Sequence, residues 1–540
     1  MDAFMRKVKW FFSLTMVGVF VLFIASSVAI DDTLYANENI VFAEAQAAWH
    51  RMKYSFVSAP NVLAAVDNVF NEPETYDRNA GPAAAIPVLN YHGILPSWDG
   101  TEANMSKDRF EEHMFALKEA GYQTITLADL YAFIRGEHDV PQKAVLITFD
   151  DGRRDSIYNA DPILRGMGYT AAMFIVSKFS TGESGGGYYL SEDELRHIRE
   201  SGVWELGAHA YEGHADSFPL DDEGQAGNFY SNKLWLTEEG RLETDREYVD
   251  RTASDLIRAK ELLESAINEE VTGFAFPFGE FGQIESNAPH LMPRMISIAH
   301  SMYDMLFYQH APGVYFRQVY AEPSTDDTSF LIRRISVKGD WTAERLMDTL
   351  EKSSAKPLPY SDTLKVDRGW ISSWGSFEID PSRGGLELVA REGQAGASAI
   401  LDGTGHWRNY EVTARVESPT QSGAFMWFRF KDDDNNAACN FGAEFAHVEQ
   451  TVAGEHRVIN GIRESGLIPE EPFTIGVRVN GRTVECMLNG RVVARSSFLD
   501  PSLTRGGIGF KKWNQTPGMS SLTIRQLEVT SITHETPQEP

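Results

Sequence analysis

AVLITFDDGRR, residues 144–154, is the stretch on which the fold turns. Ala144 to Phe149 is apolar and β-branched and reads as a buried strand. Asp150 and Asp151 end it, and Gly152 follows. Asp-Gly is an ordinary turn signal, so the pair is either punctuation after a strand or a reactive end.

Working outward, the same alternation recurs. IPVLNYH (86–92), TAAMFIV (170–176), WELGAHA (204–210) and TGFAFPFG (272–279) are strand-like. Between them, Ser106–Ala120 carries Phe110, Met114 and Leu117 at helical spacing. Asp155–Gly166 and Thr252–Glu269 also read as helices, with Asp155 expected to cap the first of them. A glycine-rich loop (182–187) precedes Ser191-Glu192-Asp193-Glu194, a capping box. Strand–helix repetition of this kind implies a parallel sheet or a barrel. After Pro357 the helices stop and short strands follow, among them LELVA (386–390), YEVTARV (410–416), GAFMWFRF (423–430), FTIGVRV (473–479), TVECMLN (483–489) and LTIRQLEVT (522–530). Asn480-Gly481 gives a hairpin turn between two of them. The expected class is therefore α/β, a distorted (β/α) barrel, followed by an all-β jelly-roll sandwich. The expected divisions are 1–30 (apolar N-terminal segment), 31–84 (spacer), 85–356 (α/β domain), 360–533 (sandwich) and 534–540 (tail).

The 540 residues exceed one core, and the formal net charge of −28 argues against nucleic acid as a partner. Two cysteines, Cys439 and Cys486, exclude a disulfide framework and a four-thiolate zinc site; one bridge or two buried thiols both fit. Arg6, Lys7 and Lys9 precede an apolar run from Trp10 to Ile30, and Asp31-Asp32 follow it. Those 21 residues match a hydrocarbon core of about 30 Å, and the flanking charges put the bulk of the chain outside. The length favours a membrane anchor; Ser27-Val28-Ala29 leaves cleavage as a signal peptide open. Either way, export is expected, with the chain facing the periplasm or exterior at the cytoplasmic membrane.

Chemistry-bearing residues collect at strand ends. His92, Asp150-Asp151, His209 and Pro277-Phe278-Gly279 each follow an apolar strand, and in parallel α/β barrels that rim carries the active site. His209 and His214 are five apart around Gly213, a spacing that suits a loop wrapping an ion better than a helix face. Surface histidines beside a glycine are the competing explanation for that pair alone. Two imidazoles and a carboxylate form a three-ligand site for zinc, cobalt, nickel or iron(II), with room for water.

TFDDG (148–152), HAYEGH (209–214) and FPFGEF (276–281), in this order, resemble the polysaccharide deacetylase family, also called NodB-homology or carbohydrate esterase family 4. With Tyr91-His92 upstream, the subgroup most resembled is that of the poly-N-acetylglucosamine deacetylases of biofilm systems. The resemblance covers roughly residues 86–350. It implies Asp150 as general base, Asp151, His209 and His214 as ligands of one divalent metal (zinc foremost), and His92 as general acid. Pro277, Phe278 and Tyr211 fall at substrate- or oxyanion-binding positions. The implied reaction removes N-acetyl groups from an extracytoplasmic N-acetylhexosamine polysaccharide, with exopolysaccharide assembly proteins as further partners. A glycan-binding protein with a weak site and a glycan O-acetyl esterase are the alternatives. Ala210 stands where the family has Ser or Thr, and Ala275 where many members have an arginine that orients the catalytic Asp. His300 and His310 match the late family histidine by order only and read as structural; Asp340-Trp341 reads as the N-cap of a helix over 342–350. Tyr188 and Tyr189 offer sugar stacking or packing, and Arg153 and Arg154 have no assigned role. Residues 360–532 resemble the concanavalin-like sandwich of the 3-keto-disaccharide hydrolase and laminin-G-like group, which implies a shape and an accessory glycan-binding or docking module. There KDDDNN (431–436) reads as a solvated turn more than a calcium loop.

Overall fold

The computed structural model describes residues 40–58, 82–182, 187–215, 217–310, 316–320, 330–389, 396–417, 423–468, 472–513 and 521–532. The apolar run at 10–30 and the tail lie outside these residues, and no described helix is long and apolar enough to cross a membrane. The expected spacer contains a helix, α1 (Ile40–Ser58), that packs on the barrel: His50 Nδ1 lies 2.6 Å from Glu111 Oε1 and Lys53 Nζ 2.5 Å from Oε2.

Six parallel strands follow in spatial order: β1 (Ala85–Tyr91), β2 (Ala144–Phe149), β3 (Ala171–Ile175), β4 (Trp204–Ala208), β5 (Gly273–Ala275) and β6 (Met305–Tyr308). β7 (Gln318–Tyr320) runs antiparallel to the start of β1. Closure comes from one short segment. β8 (Leu331–Arg333) pairs with β6, and two residues on, β9 (Ile335–Ser336) pairs with β1. Arg334 is the single residue between them.

Strand parity sorts the side chains into two cores. Val88, Leu146, Phe174, Ala275, Phe307 and Ile332 fill the barrel interior, fully or almost fully buried. Leu89, Tyr91, Ile147, Phe149 and Met173 face outward under the helices, α2 (Lys107–Glu119), α3 (Leu127–Ile134), α4 (Arg154–Met167), α5 (Glu192–Glu200), α6 (Asp245–Ile267), α7 (Met292–His300) and α8 (Ala343–Ser353). Several starts are fixed by side-chain caps. Ser191 and Glu194 form the expected capping box of α5. α6 begins earlier than the apolar periodicity suggests, because Thr244 and Glu247 form another box. α8 is capped by Thr342, not by Asp340; Trp341 is buried and its carbonyl accepts from His113.

The C-terminal region is antiparallel throughout. Its strands are β10 (Trp370–Ile371), β11 (Ser376–Ile379), β12 (Leu386–Val389), β13 (Gly396–Leu401), β14 (Tyr410–Glu417), β15 (Ala424–Asp432), β16 (Asn435–Gly442), β17 (Phe445–Val452), β18 (Glu455–Arg463), β19 (Phe473–Asn480), β20 (Thr483–Leu488), β21 (Arg491–Ser496), β22 (Gly507–Trp513) and β23 (Ser521–Ser531). One sheet orders β11-β12-β23-β14-β19-β20-β21, the other β10-β13-β22-β15-β16-β17-β18. Inward residues such as Val412, Met426, Phe428, Val477 and Phe510 make the core between them. Cys439 on β16 and Cys486 on β20 are bonded, Cα to Cα 5.7 Å, so the disulfide ties one sheet to the other. The barrel meets the sandwich through Lys356 Nζ, 2.6 Å from the Asp402 carbonyl, and through Phe316 against Phe430.

On β4, burial pushes the Glu205 carboxyl up to about 7, although the Leu127 N–H donates to it at 2.5 Å. Its folded value lies above the ordinary one, so its contribution is intact in acid and is lost as pH rises through about 7. Glu205→Gln should therefore melt higher than the parent at pH 8, by roughly 2–4 °C, with the gain absent at pH 5. Equal melting-temperature differences at both pH values would show that Glu205 does not titrate in this range.

Candidate active site

The top layer of the barrel interior is polar. Asn90, Thr148 and Asp150 share the inward parity of the apolar residues beneath them, and all three are fully buried. An ionised carboxylate at that depth requires a counter-charge. Arg334 supplies it: Nη1 lies 2.6 Å from Asp150 Oδ1 and Nη2 2.7 Å from Oδ2. Asn90 Nδ2 donates to Oδ2 at 3.0 Å and Gln309 Nε2 at 3.3 Å. Burial alone would raise the Asp150 carboxyl, but the charge and hydrogen bonds of Arg334 more than reverse this and hold it below its ordinary value. His92 Nε2 stands 3.7 Å from Oδ2, with the side chain 23 % exposed at the rim.

Asp151 goes elsewhere. The strand has ended, the residue takes φ +76°, and its carboxylate meets the histidines instead of Arg334. Oδ1 is 3.0 Å from His214 Nε2 and 3.6 Å from His209 Nε2. The ligand atoms of Asp151, His209 and His214 all lie within 4.8 Å of one another. His209 Nδ1 donates to the Ala275 carbonyl at 2.8 Å, which leaves Nε2 with a lone pair toward the cluster. Burial pulls His209 down to about 4, so it is a neutral imidazole. Burial alone would lower His214, yet its hydrogen bond to Asp151 raises it above its ordinary value, and two imidazoles with a carboxylate at this range form a donor set that suits a divalent transition metal.

The loop carrying both histidines is held by Asp255 of α6. Its carboxylate accepts the N–H groups of Tyr211 (2.9 Å), Glu212 (2.7 Å) and Gly213 (3.1 Å), and the Tyr230 hydroxyl at 2.5 Å. Ala210, at φ +75°, has its carbonyl bound by the Ser177 N–H and hydroxyl. These contacts do the bracing that a hydroxyl beside His209 would do. The Tyr211 ring is buried beside Arg258, whose guanidinium carbon is 4.0 Å from the ring centroid. Pro277 is buried, and Phe278, at φ +58°, lays a ring 37 % exposed on His214, centroids 5.2 Å apart.

The arginines of FDDGRR have partners. Arg153 forms a two-bond pair with Asp155, which therefore does not cap α4; the N-cap position is Arg153 itself, without a side-chain cap bond. Asp155 lies in the helix's first turn, where its charge suits the dipole. The Arg153 guanidinium also covers Tyr188, 4.9 Å to the ring, and Arg154 pairs with Glu194. Tyr188 is half exposed, whereas Tyr189 stacks on Phe179. His300 stacks on Phe330 and His310 is exposed; neither joins the cluster. Arg334, Gln309 and Asp255 are site residues with no motif around them. The one sequence cue for Arg334 is two adjacent arginines inside the apolar LIRRISV (331–337).

Residues 137–288 match the polysaccharide deacetylase family. This chain carries a polysaccharide deacetylase domain. The chain is 27% identical over 206 residues to poly-beta-1,6-N-acetyl-D-glucosamine N-deacetylase of Escherichia coli (strain K12), covering 35% of this chain and 30% of that protein. It is 25% identical over 200 residues to the putative polysaccharide deacetylase YxkH of Bacillus subtilis, covering 37% and 59%. The chain thus spans under a third of the first relative and about three fifths of the second. Among solved structures, a de-N-acetylase from Aggregatibacter actinomycetemcomitans aligns over 49% of this chain and 99% of that one, at 18% identity and a TM-score of 0.41.

Removing the counter-charge tests the deacetylase domain's central pair. Arg334→Ala should lose about 3–5 kcal/mol of stability, because Asp150 is left buried and unpaired. Adding Asp150→Asn to that variant should recover a large part of the loss. A double variant no more stable than Arg334→Ala would mean that the charge pair is not what the arginine contributes.

Proposed function

We propose that this protein is a metal-dependent N-deacetylase of an extracytoplasmic polysaccharide built from N-acetylhexosamine units. The observation that carries the reading is the segregation of two adjacent carboxylates: Asp150 faces Arg334 and His92, Asp151 faces His209 and His214. Asp151, His209 and His214 would hold the cation, which supplies Lewis acidity toward the amide carbonyl and toward water.

The residues around it divide the proton work. Asp150, fixed on both oxygens, accepts a proton from the attacking water. As the water oxygen bonds to the carbonyl carbon, negative charge builds on the carbonyl oxygen beside Phe278, where a backbone N–H is the matching group. His92, on the other side of Asp150, gives a proton to the sugar nitrogen as the C–N bond breaks, and acetate and a free amine leave. The exposed ring of Phe278 offers an apolar face for the sugar. Export is supported by the apolar run at 10–30 after a basic N-terminus and by the Cys439–Cys486 disulfide.

The test is acetate release from β-linked N-acetylglucosamine oligomers. Release should stop with a chelator, return with zinc or cobalt, and fall at least about 100-fold in Asp150→Asn. The same assay on O-acetylated glycans separates amide from ester hydrolysis. If no acetate appears above the Asp150→Asn level with any metal or substrate, the reading is wrong.

A further inference from the structure

A second group of polar and aromatic side chains lies in the sandwich, on the face of the β10–β18 sheet turned away from its partner sheet. Register places Ser398, Lys511, Phe425, Asn440, His447 and Gly461 in one row across five strand pairings. These alternate with the inward core residues on the same strands. The next row holds Gly509, Trp427, Ala438 and Glu449. Glycine ends the first row, where a Cβ on Gly461 would meet His447 at 2.4 Å.

The row is polar but electrically closed. Glu449 is 8 % exposed and lies 2.8 Å from His447 Nε2, while Asn440, 7 % exposed, donates to the same oxygen at 3.4 Å. Burial would raise Glu449, and the His447 hydrogen bond outweighs it, so the acid stays ionised. Lys511 spreads its charge over Phe425 and Trp427, 4.9 and 5.5 Å from its Nζ, and is further balanced by Glu449 and Asp433. Among the described residues, the charges at the centre of the row are therefore mutually compensated, while Arg463 stands at its far margin opposite Phe445. Trp513, 54 % exposed, meets Trp374 edge-on at 5.7 Å and gives the face an open aromatic margin. Fixed donors and acceptors between flat apolar rings match a neutral sugar, which has equatorial hydroxyls around an apolar ring face.

The face also borders the barrel. At the end of β15 the hairpin bends, with Arg429 at φ +50° and the register broken between Phe428 and Asp432. Asp433 at its tip interacts with Ser373 and Lys511. Asp432 acts electrostatically on Tyr308, the last residue of β6, whose neighbour Gln309 reaches Asp150. The strand that carries this hairpin therefore borders both this face and the barrel, where Phe430 meets Phe316.

We propose that the outer face of the β10–β18 sheet, centred on Phe425, Asn440, Glu449, Lys511 and Trp513, binds the neutral N-acetylhexosamine polymer and retains it beside the barrel. The choice of polymer rests on the deacetylase reading above; the site does not. Affinity gel electrophoresis of the full chain in β-linked N-acetylglucosamine polymer tests it without reference to turnover. Trp513→Ala and Glu449→Gln should each weaken retardation at least tenfold, while Phe498→Ala, at an exposed aromatic elsewhere on the sandwich, should bind as the parent. Thermal melts of each variant separate loss of the site from loss of the fold, and Lys511→Met provides a third readout at the centre of the row. Retardation unchanged in Trp513→Ala, Glu449→Gln and Lys511→Met overturns the proposal even if acetate is released. Retardation that depends on Trp513 upholds it even if no acetate is released. Retention by a glucan but not by the N-acetylglucosamine polymer overturns the assigned ligand.

Discussion

The Asp150–Arg334 pair is the constraint around which the deacetylase domain is arranged. A carboxylate on the inward side of a closed barrel has no water to solvate it, so it needs a guanidinium of matched geometry within reach. Arg334 meets that need because of where the barrel closes. It lies between the strand bonded to β6 and the strand bonded to β1, and its backbone N–H is taken by Tyr308. Closing the sheet and charging the site are thus one structural event. Asn90, Thr148 and Gln309 then fill the remaining directions around the ion pair.

Much of this was legible in the sequence, for a physical reason. Strand periodicity is two, so Thr148 and Asp150 had to share a face and Phe149 had to take the other. Reactive residues directly after apolar runs had to lie on one rim once those runs were parallel. Arg334 was not legible, because it lies 184 residues from Asp150 and nothing local signals the contact. Asp255 was hidden in another way: a single acid on an amphipathic helix looks like a solvated position until the His209–His214 loop is laid across it. In the sandwich, the strands at 396–401 and 435–442 are not legible in the sequence, since GASAIL and NNAACNFG are rich in small and polar residues. Pairing with neighbours, not intrinsic preference, makes them strands.

The His209–His214 loop shows that one requirement can be met by different residues. Ligand imidazoles need a rigid backbone, and the sequence lacks the expected hydroxyl after His209. Rigidity comes instead from three consecutive N–H groups converging on one carboxylate, with Ser177 holding the Ala210 carbonyl. The missing arginine at Ala275 follows the same logic. Its place is taken by Arg334, from the link between β8 and β9, while the Ala275 carbonyl orients His209. A departure at one motif position therefore weakens an inference about chemistry only if no other element supplies the same atom.

The separation of the two adjacent acids has a consequence for the proposed reaction. Arg334 fixes Asp150 in place, and it also lowers the basicity of the carboxylate it fixes. A carboxylate of lowered basicity assists best a water that is itself acidified. The cation of the proposed reaction would supply that acidity, and the residues suited to hold one begin at the very next position. Strand parity keeps Asp150 inside with Arg334; the positive φ at Asp151 turns the second carboxylate out to His209 and His214. The arginine that makes the first acid a weaker base is thus matched, in the proposed reaction, by the ion the second acid would hold, which gives the two carboxylates different tasks.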